Sequence, residues 1–467
     1  MKNKSSRRDF IKAAAAGGLA VEASTTLLAS QEPQKISAND KIQIALIGSG
    51  GMGFGDTETA LEVPGTEIVA AADIYNGRLV RVKEVFGNHV FTTRDYREVL
   101  ARPDVDAVII ATPDHWHAQI SIDAMNAGKD VYCEKPMVQV VSDGHQVIET
   151  EKKTKRILQV GSQGVSSIVN AKAKELLSAG KIGKLNIVEA WINRRTPIDA
   201  WQYSIPPDAT PENIDWDRFL GKARKVPFNP IRLFRWRNYR DYGTGIGGDL
   251  FVHLFSAIHF ITGSNGPTHV QTTGGLRYWN DGRDVPDILL GIYDYPETAN
   301  HPAFNVVLRV NFEDGGTDSA EFPRSGFQFI GPDGVMKISD GVTISRRAKA
   351  REPGYTINTF AKATQDEFLK EYRKQYRDQG NQMSDSAEER YNPPRRYDAR
   401  YDHFVNFFDA VRTRKPVVED STFGLRAAGP ALVSNESFFN NRAYAWEPDA
   451  MRMSKSDGRK DQGARST

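Results

Sequence analysis

Gly48-Ser49-Gly50-Gly51-Met52-Gly53 closes the apolar run 44–47 with a G-x-G-x-x-G spacing. Gly48 permits a tight turn out of a strand, Gly50 lets backbone approach a pyrophosphate, and Gly53 allows close helix–strand packing. The N-terminus of the following helix offers free N–H groups and a partial positive charge to phosphates. A second apolar run, 66–72, ends in Asp73, about 20 residues past the last glycine, as a dinucleotide fingerprint requires. Asp73 is placed to accept hydrogen bonds from the adenosine ribose and to repel a 2′-phosphate, so NAD is expected over NADP. Three further segments carry reactive side chains: Thr112-Pro113-Asp114-His115-Trp116-His117, Glu134-Lys135-Pro136, and Asp249 with His253 behind the glycine cluster 243–248. The i,i+4 spacing of Asp249 and His253 sets both on one face of an α-helix.

These groups need a scaffold, and the patterning supplies one. From Asp40 to about Gln163, short β-branched runs (42–47, 68–72, 108–111, 131–133, 158–160) alternate with helix-like segments (76–86, 96–101, 117–127, 142–155). Alternation of this kind implies a mostly parallel sheet covered on both faces. Ligands bind beyond the carboxyl ends of such strands, so the glycine loop, the 112–117 segment and the 134–136 segment converge on one crevice. After Gly164 a helix over 170–179 precedes runs 185–191, 268–273, 288–294, 305–312, 326–330 and 335–339, separated by turn signals such as Gly331-Pro332-Asp333-Gly334. Strands joined in that way argue for a largely antiparallel sheet. The expected fold is therefore α/β: an N-terminal Rossmann dinucleotide-binding domain over 40–163, then an α+β domain over 164–450 with a large, mostly antiparallel open sheet. One face of that sheet is left free, and a homo-oligomer interface is one way to cover it. The stretch 349–397 reads as a charged, solvated insertion whose helix candidate is 366–377. The segment 400–412 reads as a helix with Phe404, Phe407, Phe408 and Val411 on one face, and 454–467 has the composition of a disordered tail.

Taken together, the glycine motif, Thr112-Pro113 with His117, Glu134-Lys135-Pro136 and the glycine-led Asp249…His253 pair resemble the Gfo/Idh/MocA family of sugar and polyol oxidoreductases. The resemblance runs from Lys41 to about Pro448. It implies Lys135, Asp249 and His253 as catalytic groups and Pro136 as the shaper of the loop beneath the nicotinamide. Ser256 departs from the pattern, since many members carry an aspartate three residues after the histidine. The chemistry suits the residue types. His253 can take and return a hydroxyl proton near neutrality, Lys135 can hydrogen-bond the same oxygen and stabilise alkoxide charge, and Asp249 can orient the imidazole or bind a neighbouring hydroxyl. His115, Trp116 and His117 are expected to line the nicotinamide pocket with Ser49, Met52 and Glu134.

Trp201, Tyr203, Arg235, Trp236, Arg237, Tyr239 and Tyr242 cluster before the helix motif, as in a carbohydrate subsite, with Arg235, Trp236 and Tyr242 the candidate substrate contacts. Gln163 is a candidate for the ribose or substrate. Arg194 and Arg195 could bind an acidic substituent or stand exposed. A formal charge of +2 gives no electrostatic case for nucleic acid or an anionic membrane surface. A lone cysteine, Cys133, excludes an intramolecular disulfide, and no metal site is expected.

Ser6-Arg7-Arg8-Asp9-Phe10, followed by an Ala/Gly-rich stretch, resembles a twin-arginine export signal over 1–35, too short and weakly apolar for stable membrane insertion. A periplasmic enzyme has no replenished NADH pool, so the cofactor is expected to be held tightly and recycled in place. Three readings stand at this point: a sugar or glycoside dehydrogenase, a redox-neutral NAD-dependent glycosidase working through transient C3 oxidation, and a non-catalytic sugar-binding protein. Retention of Lys135, Asp249 and His253 argues against the last.

Overall fold

Two sheets organise the residues that the computed structural model describes: 41–316, 323–346, 356–375 and 388–454. The proposed export segment 1–35, nearly all of the tail, and parts of the charged stretch lie outside them. Both sheets sit in one packed unit that begins at Asn39.

The first sheet contains β1 (Ile42–Ile47), β2 (Thr66–Ala72), β3 (Phe91–Thr93), β4 (Ala107–Ile110), β5 (Asp130–Cys133) and β6 (Leu158–Val160). All pair in parallel in the order β3-β2-β1-β4-β5-β6. Strands β4, β5 and β6 are buried along their whole length, which is why they read as unbroken apolar runs. The order reverses between β1 and β4, and that switch point fixes where a ligand can enter. Helix Ala399–Thr413 crosses back from late in the chain to cover this sheet. Its Phe404, Phe407 and Phe408 are fully buried against Ile44, Leu46, Ile109 and Tyr132. Each such phenylalanine contributes about 1.5–3 kcal/mol of burial.

The second sheet contains β7 (Ile187–Asn193), β8 (His269–Gly275), β9 (Ile288–Tyr295), β10 (Phe304–Asn311), β11 (Ser325–Gly331), β12 (Gly334–Ile338), β13 (Val342–Arg346), β14 (Glu389–Tyr391), β15 (Tyr444–Glu447) and β16 (Arg452–Met453). Its order is β14-β13-β12-β11-β7-β10-β9-β8-β15-β16, antiparallel except where β7 meets β10. Burial alternates residue by residue along β9 and β10. The inner face packs on helices Val252–Thr262 and Ser421–Asn440, with Phe255 edge-on to Tyr293 at 4.9 Å and Thr272 Oγ1 donating to Ser434 O. The outer face exposes Leu290, Ile292 and Val307.

The charged stretch is not wholly a solvated insertion. Helix Lys362–Gln375 buries no residue, but β14 pairs with β13 through Val342↔Tyr391 and extends the sheet edge.

Candidate active site

A crevice of about 520 Å³ opens at the switch point, lined by Gly48, Gly50, Gly51, Met52, Asp73, Thr112 and Pro113. Gly48 has φ +95°, and a Cβ there would stand 2.7 Å from the backbone of Ala111 and Thr112. A Cβ on Gly53 would lie 2.2 Å from Gly48 O, so the helix start presses directly on the turn. At Gly51, by contrast, an added Cβ meets nothing within 4 Å. Ser49 Oγ and Thr112 Oγ1 are buried without a hydrogen-bond partner. Orphaned hydroxyls beside an open, amide-lined cradle suit a phosphate-bearing dinucleotide. Asp73 anchors the rim. Its Oδ2 accepts from Ser49 N at 2.8 Å and lies 3.5 Å from Arg78 Nη1, while Oδ1 accepts from Tyr75 N. Gly48→Ala is expected to weaken NAD binding by about 10- to 100-fold through backbone strain. A nicotinamide-fluorescence titration giving an unchanged Kd would contradict that.

Beside the crevice, three elements deliver the charged groups. Lys135 follows β5, and its Nζ donates to Asp249 Oδ1 at 2.8 Å and to Asp249 O at 3.0 Å. Both side chains are 6% exposed. Arg237 Nε donates to the same Oδ1 at 3.1 Å, with its guanidinium 4.2 Å from the Trp236 ring centre. Burial favours the neutral acid, but Lys135 and then Arg237 overcome it and hold the Asp249 carboxyl far below the usual range. An ammonium has three donors. Two serve Asp249, leaving one for a substrate oxygen.

Asp249 does not sit in an α-helix. The turn Gly247–Phe251 is a π turn that feeds the α-helix Val252–Thr262 carrying His253. The i,i+4 expectation assumed regular α geometry; single π turns recur at functional sites. A Cβ on Gly247 would stand 2.5 Å from Ala431 O, so this turn is pressed against helix Ser421–Asn440. Burial, then the Lys135 charge, push His253 down to about 3, with Asp249 acting in the opposite sense. His253 is therefore neutral at ordinary pH. If His253 is the base, kcat/KM is expected to stay flat from pH 7 to pH 5, where an unshifted histidine titrates near 6.5. An acid limb near pH 6.5 would exclude it.

Other residues expected to touch ligands serve the scaffold. Tyr242 is fully buried in an aromatic cluster with Phe219 and Tyr239, so it faces neither cofactor nor substrate. Trp201 is likewise core, edge-on to Phe312 at 4.7 Å. Arg235 is spent on Gln202 Oε1 and Tyr203 O. Arg195 pairs with Asp314 Oδ2 at 2.7 Å. His115 lies against Phe219 O at 2.8 Å and holds the 112–117 segment from behind; burial pushes it down to about 4. His117 is 1% exposed, and its two ring nitrogens meet Pro136 O at 2.7 Å and Thr112 O at 2.8 Å. Two carbonyl acceptors demand two donors, hence an imidazolium. Burial disfavours that charge, yet Cys133, Asp114 and the Pro136 carbonyl raise His117 to about 10. His117 is thus a strut between the two loops rather than a wall of the pocket. Trp116 and Trp236 do line the crevice, as do Tyr203 and Arg237.

Gln163 Nε2 donates to Glu134 Oε1 at 2.7 Å and to Tyr132 Oη at 3.0 Å. Glu134, 5% exposed, is raised by burial, as is its neighbour Asp56, whose carboxyl oxygens lack hydrogen-bond partners of good geometry. Lys135-Pro136 is a cis peptide. Ser256 Oγ, where the resemblance favours an acid, lies 3.4 Å from Glu419 Oε1, so the segment leading into helix Ser421–Asn440 brings a carboxyl to that place from elsewhere in the chain. Asp56 and Glu419 carried no sequence signal, and Arg237 stood in the basic–aromatic cluster without its pairing to Asp249 being foreseen. For Arg237 the signal was its place beside Trp236 in the basic–aromatic cluster.

Comparison with known proteins bears on the fold that holds the crevice. Residues 42–162 match the NAD-binding Rossmann fold of the Gfo/Idh/MocA oxidoreductase family. A protein named glycosyl hydrolase family 109 from Shewanella baltica (strain OS185) is 33% identical over 172 residues, covering 32% of this chain and 38% of that protein. Inositol 2-dehydrogenase of Salmonella paratyphi B is 33% identical over 123 residues, 26% of this chain and 37% of the enzyme. The chain thus spans little more than a third of the length of these relatives. A levoglucosan dehydrogenase solved with NADH and levoglucosan superposes with a TM-score of 0.61 at 16% identity, over 87% of this chain and 99% of that one. That likeness establishes the shared two-sheet fold.

Proposed function

Because residues 42–162 carry the NAD-binding Rossmann fold of the Gfo/Idh/MocA oxidoreductases, we infer that this chain is an NAD-dependent oxidoreductase acting on a secondary hydroxyl of a sugar or glycoside. The observation that carries this reading is the buried Lys135–Asp249 pair, with one ammonium donor to spare, together with a buried, neutral His253. NAD, when bound, supplies the hydride acceptor. His253 accepts the hydroxyl proton, Lys135 stabilises charge on the oxygen, and Asp249 keeps the ammonium in place. Asp73 supports NAD over NADP by repelling a 2′-phosphate.

The proposal extends to the cell envelope on the strength of Arg7-Arg8, and to NAD(H) retained through turnover. Export of a reporter carrying Arg7→Lys and Arg8→Lys would remove the first part, and purified protein without bound nicotinamide the second. Self-association is supported by Leu290, Ile292 and Val307, exposed at 40%, 54% and 36% on the outer sheet face. Sedimentation showing only monomer would contradict it.

The glycosyl hydrolase relative favours a second reading, transient oxidation that ends in glycosidic cleavage. Incubation with aryl glycosides and free sugars separates the two. Keto-sugar with reduced cofactor supports the dehydrogenase; aglycone release without net NADH supports the glycosidase. Neither product would sink both.

A further inference from the structure

Residues 203–237, the basic–aromatic stretch ahead of the helix carrying His253, supply part of the wall of the dinucleotide crevice. Tyr203, Phe219, Leu233, Phe234 and Trp236 line the same cavity as Gly48, Gly50 and Asp73. The phosphate cradle therefore belongs to a slot with two sides, one from the first sheet and one from a later segment.

That segment is fastened to the first sheet's loops at several points. Tyr75 and Ile214 form an antiparallel bridge, flanked by Asn76 N donating to Asn213 O at 3.0 Å and Asp215 N donating to Ile74 O at 2.9 Å. Tyr75 Oη donates to Asp208 Oδ1 at 2.6 Å, Arg94 Nη2 to Glu212 O at 2.9 Å, and Trp116 Nε1 to Phe219 O at 2.9 Å. Arg218 Nη2 pairs with Asp95 Oδ2 at 3.1 Å. Packing backs these bonds: Tyr75 is buried in one cluster with Ile214, Phe219 and Leu233, and lies edge-on to Phe234 at 5.5 Å. Arg78 spans the two sides. Its guanidinium is 5.3 Å from the Phe234 ring centre, 3.5 Å from Asp73 Oδ2, and 3.8 Å from where a Cβ on Gly50 would stand. The glycine loop, the acidic rim and the later segment thus meet at one side chain.

We propose that residues 203–237 form the second wall of the cofactor site and gate it: NAD(H) enters and leaves only when this segment detaches from 74–76, 94–95 and 116. The inference rests on the NAD-dependent reading and names the element that governs cofactor exchange. A gate anchored away from its ligand acts on rates rather than affinity. Tyr75 and Asp208 stand outside the crevice lining, so loosening them favours the open form with or without NAD(H). Entry and release then quicken together while Kd barely changes, whereas losing a contact to the cofactor itself would raise Kd.

The test uses the full chain loaded with NADH, with lactate dehydrogenase and excess pyruvate consuming each NADH released, so that fading fluorescence reports release. Stopped-flow mixing gives the entry rate. Tyr75→Phe and Asp208→Ala are each expected to speed both rates by about 5- to 30-fold, and together no more than either alone. Tyr75→Cys combined with Ile214→Cys supplies the opposite change. The flanking bonds mark a pair whose Cα atoms lie about 4.5 Å apart, within disulfide reach. Its oxidised form should release NADH at least about 10-fold more slowly than its reduced form, and dithiothreitol should restore the faster rate. Both states are the same chain, so stability lost to the substitutions cancels. Release unaltered by any of these changes, or a raised Kd with entry unaltered, would overturn the gate while leaving the NAD-dependent reading standing. Failure of NADH to bind the wild-type chain would remove that reading, and the gate with it.

Discussion

Lys135→Met lowers turnover by about 10²–10⁴-fold, the range for losing a donor that acts where charge develops. The thioether fills similar volume, so the 6%-exposed position stays packed. It cannot donate to Asp249 or to a substrate oxygen. The loss should appear in kcat and kcat/KM alike, because the third ammonium donor is used most strongly once the oxygen bears charge. NAD affinity should be unaltered, since Lys135 does not line the dinucleotide crevice. Unchanged rates would remove Lys135 from the chemistry.

Asp249→Ala should cost stability as well as rate. It leaves the ammonium of Lys135 buried without its counter-ion, and breaking such a pair costs about 3–5 kcal/mol. Arg237 is more exposed and can turn toward water, which limits its share. The pH dependence has a definite sign. Asp249 is held below its unfolded value, so its contribution is complete above about pH 4 and fades as pH falls further. The stability gap between wild type and Asp249→Ala should therefore be constant from pH 5 to 8 and shrink only in stronger acid. Denaturant melts at several pH values measure it. A gap that closes near pH 6 would mean that Asp249 is not the ion the geometry implies.

Most of the first sheet was readable because parallel strands buried on both faces leave continuous apolar runs. β1 and β6 coincide with their runs, 42–47 and 158–160. β3 and β14 escaped notice because each is three residues of edge strand held by neighbours, with no pattern of its own. Helix Ser421–Asn440 was hidden by Gly424, Gly429 and Pro430, whose poor propensity is overridden by burial between sheet and site. At the site, residue type pointed to the right segments but not to which side chains face the cavities. His115 and Arg235 carry suitable groups, yet their partners, Phe219 O and the 202–203 segment, are brought near only by the fold.

The most direct check of the central claim is a single turnover of NAD-loaded enzyme with a sugar deuterated at the carbinol carbon, followed by nicotinamide fluorescence. Fluorescence should rise once per active site, more slowly for the deuterated sugar, and be nearly abolished in Lys135→Met. No rise with any hydroxylated substrate, or a rise that Lys135→Met leaves intact, would contradict hydride transfer at a hydroxyl held by Lys135 and His253.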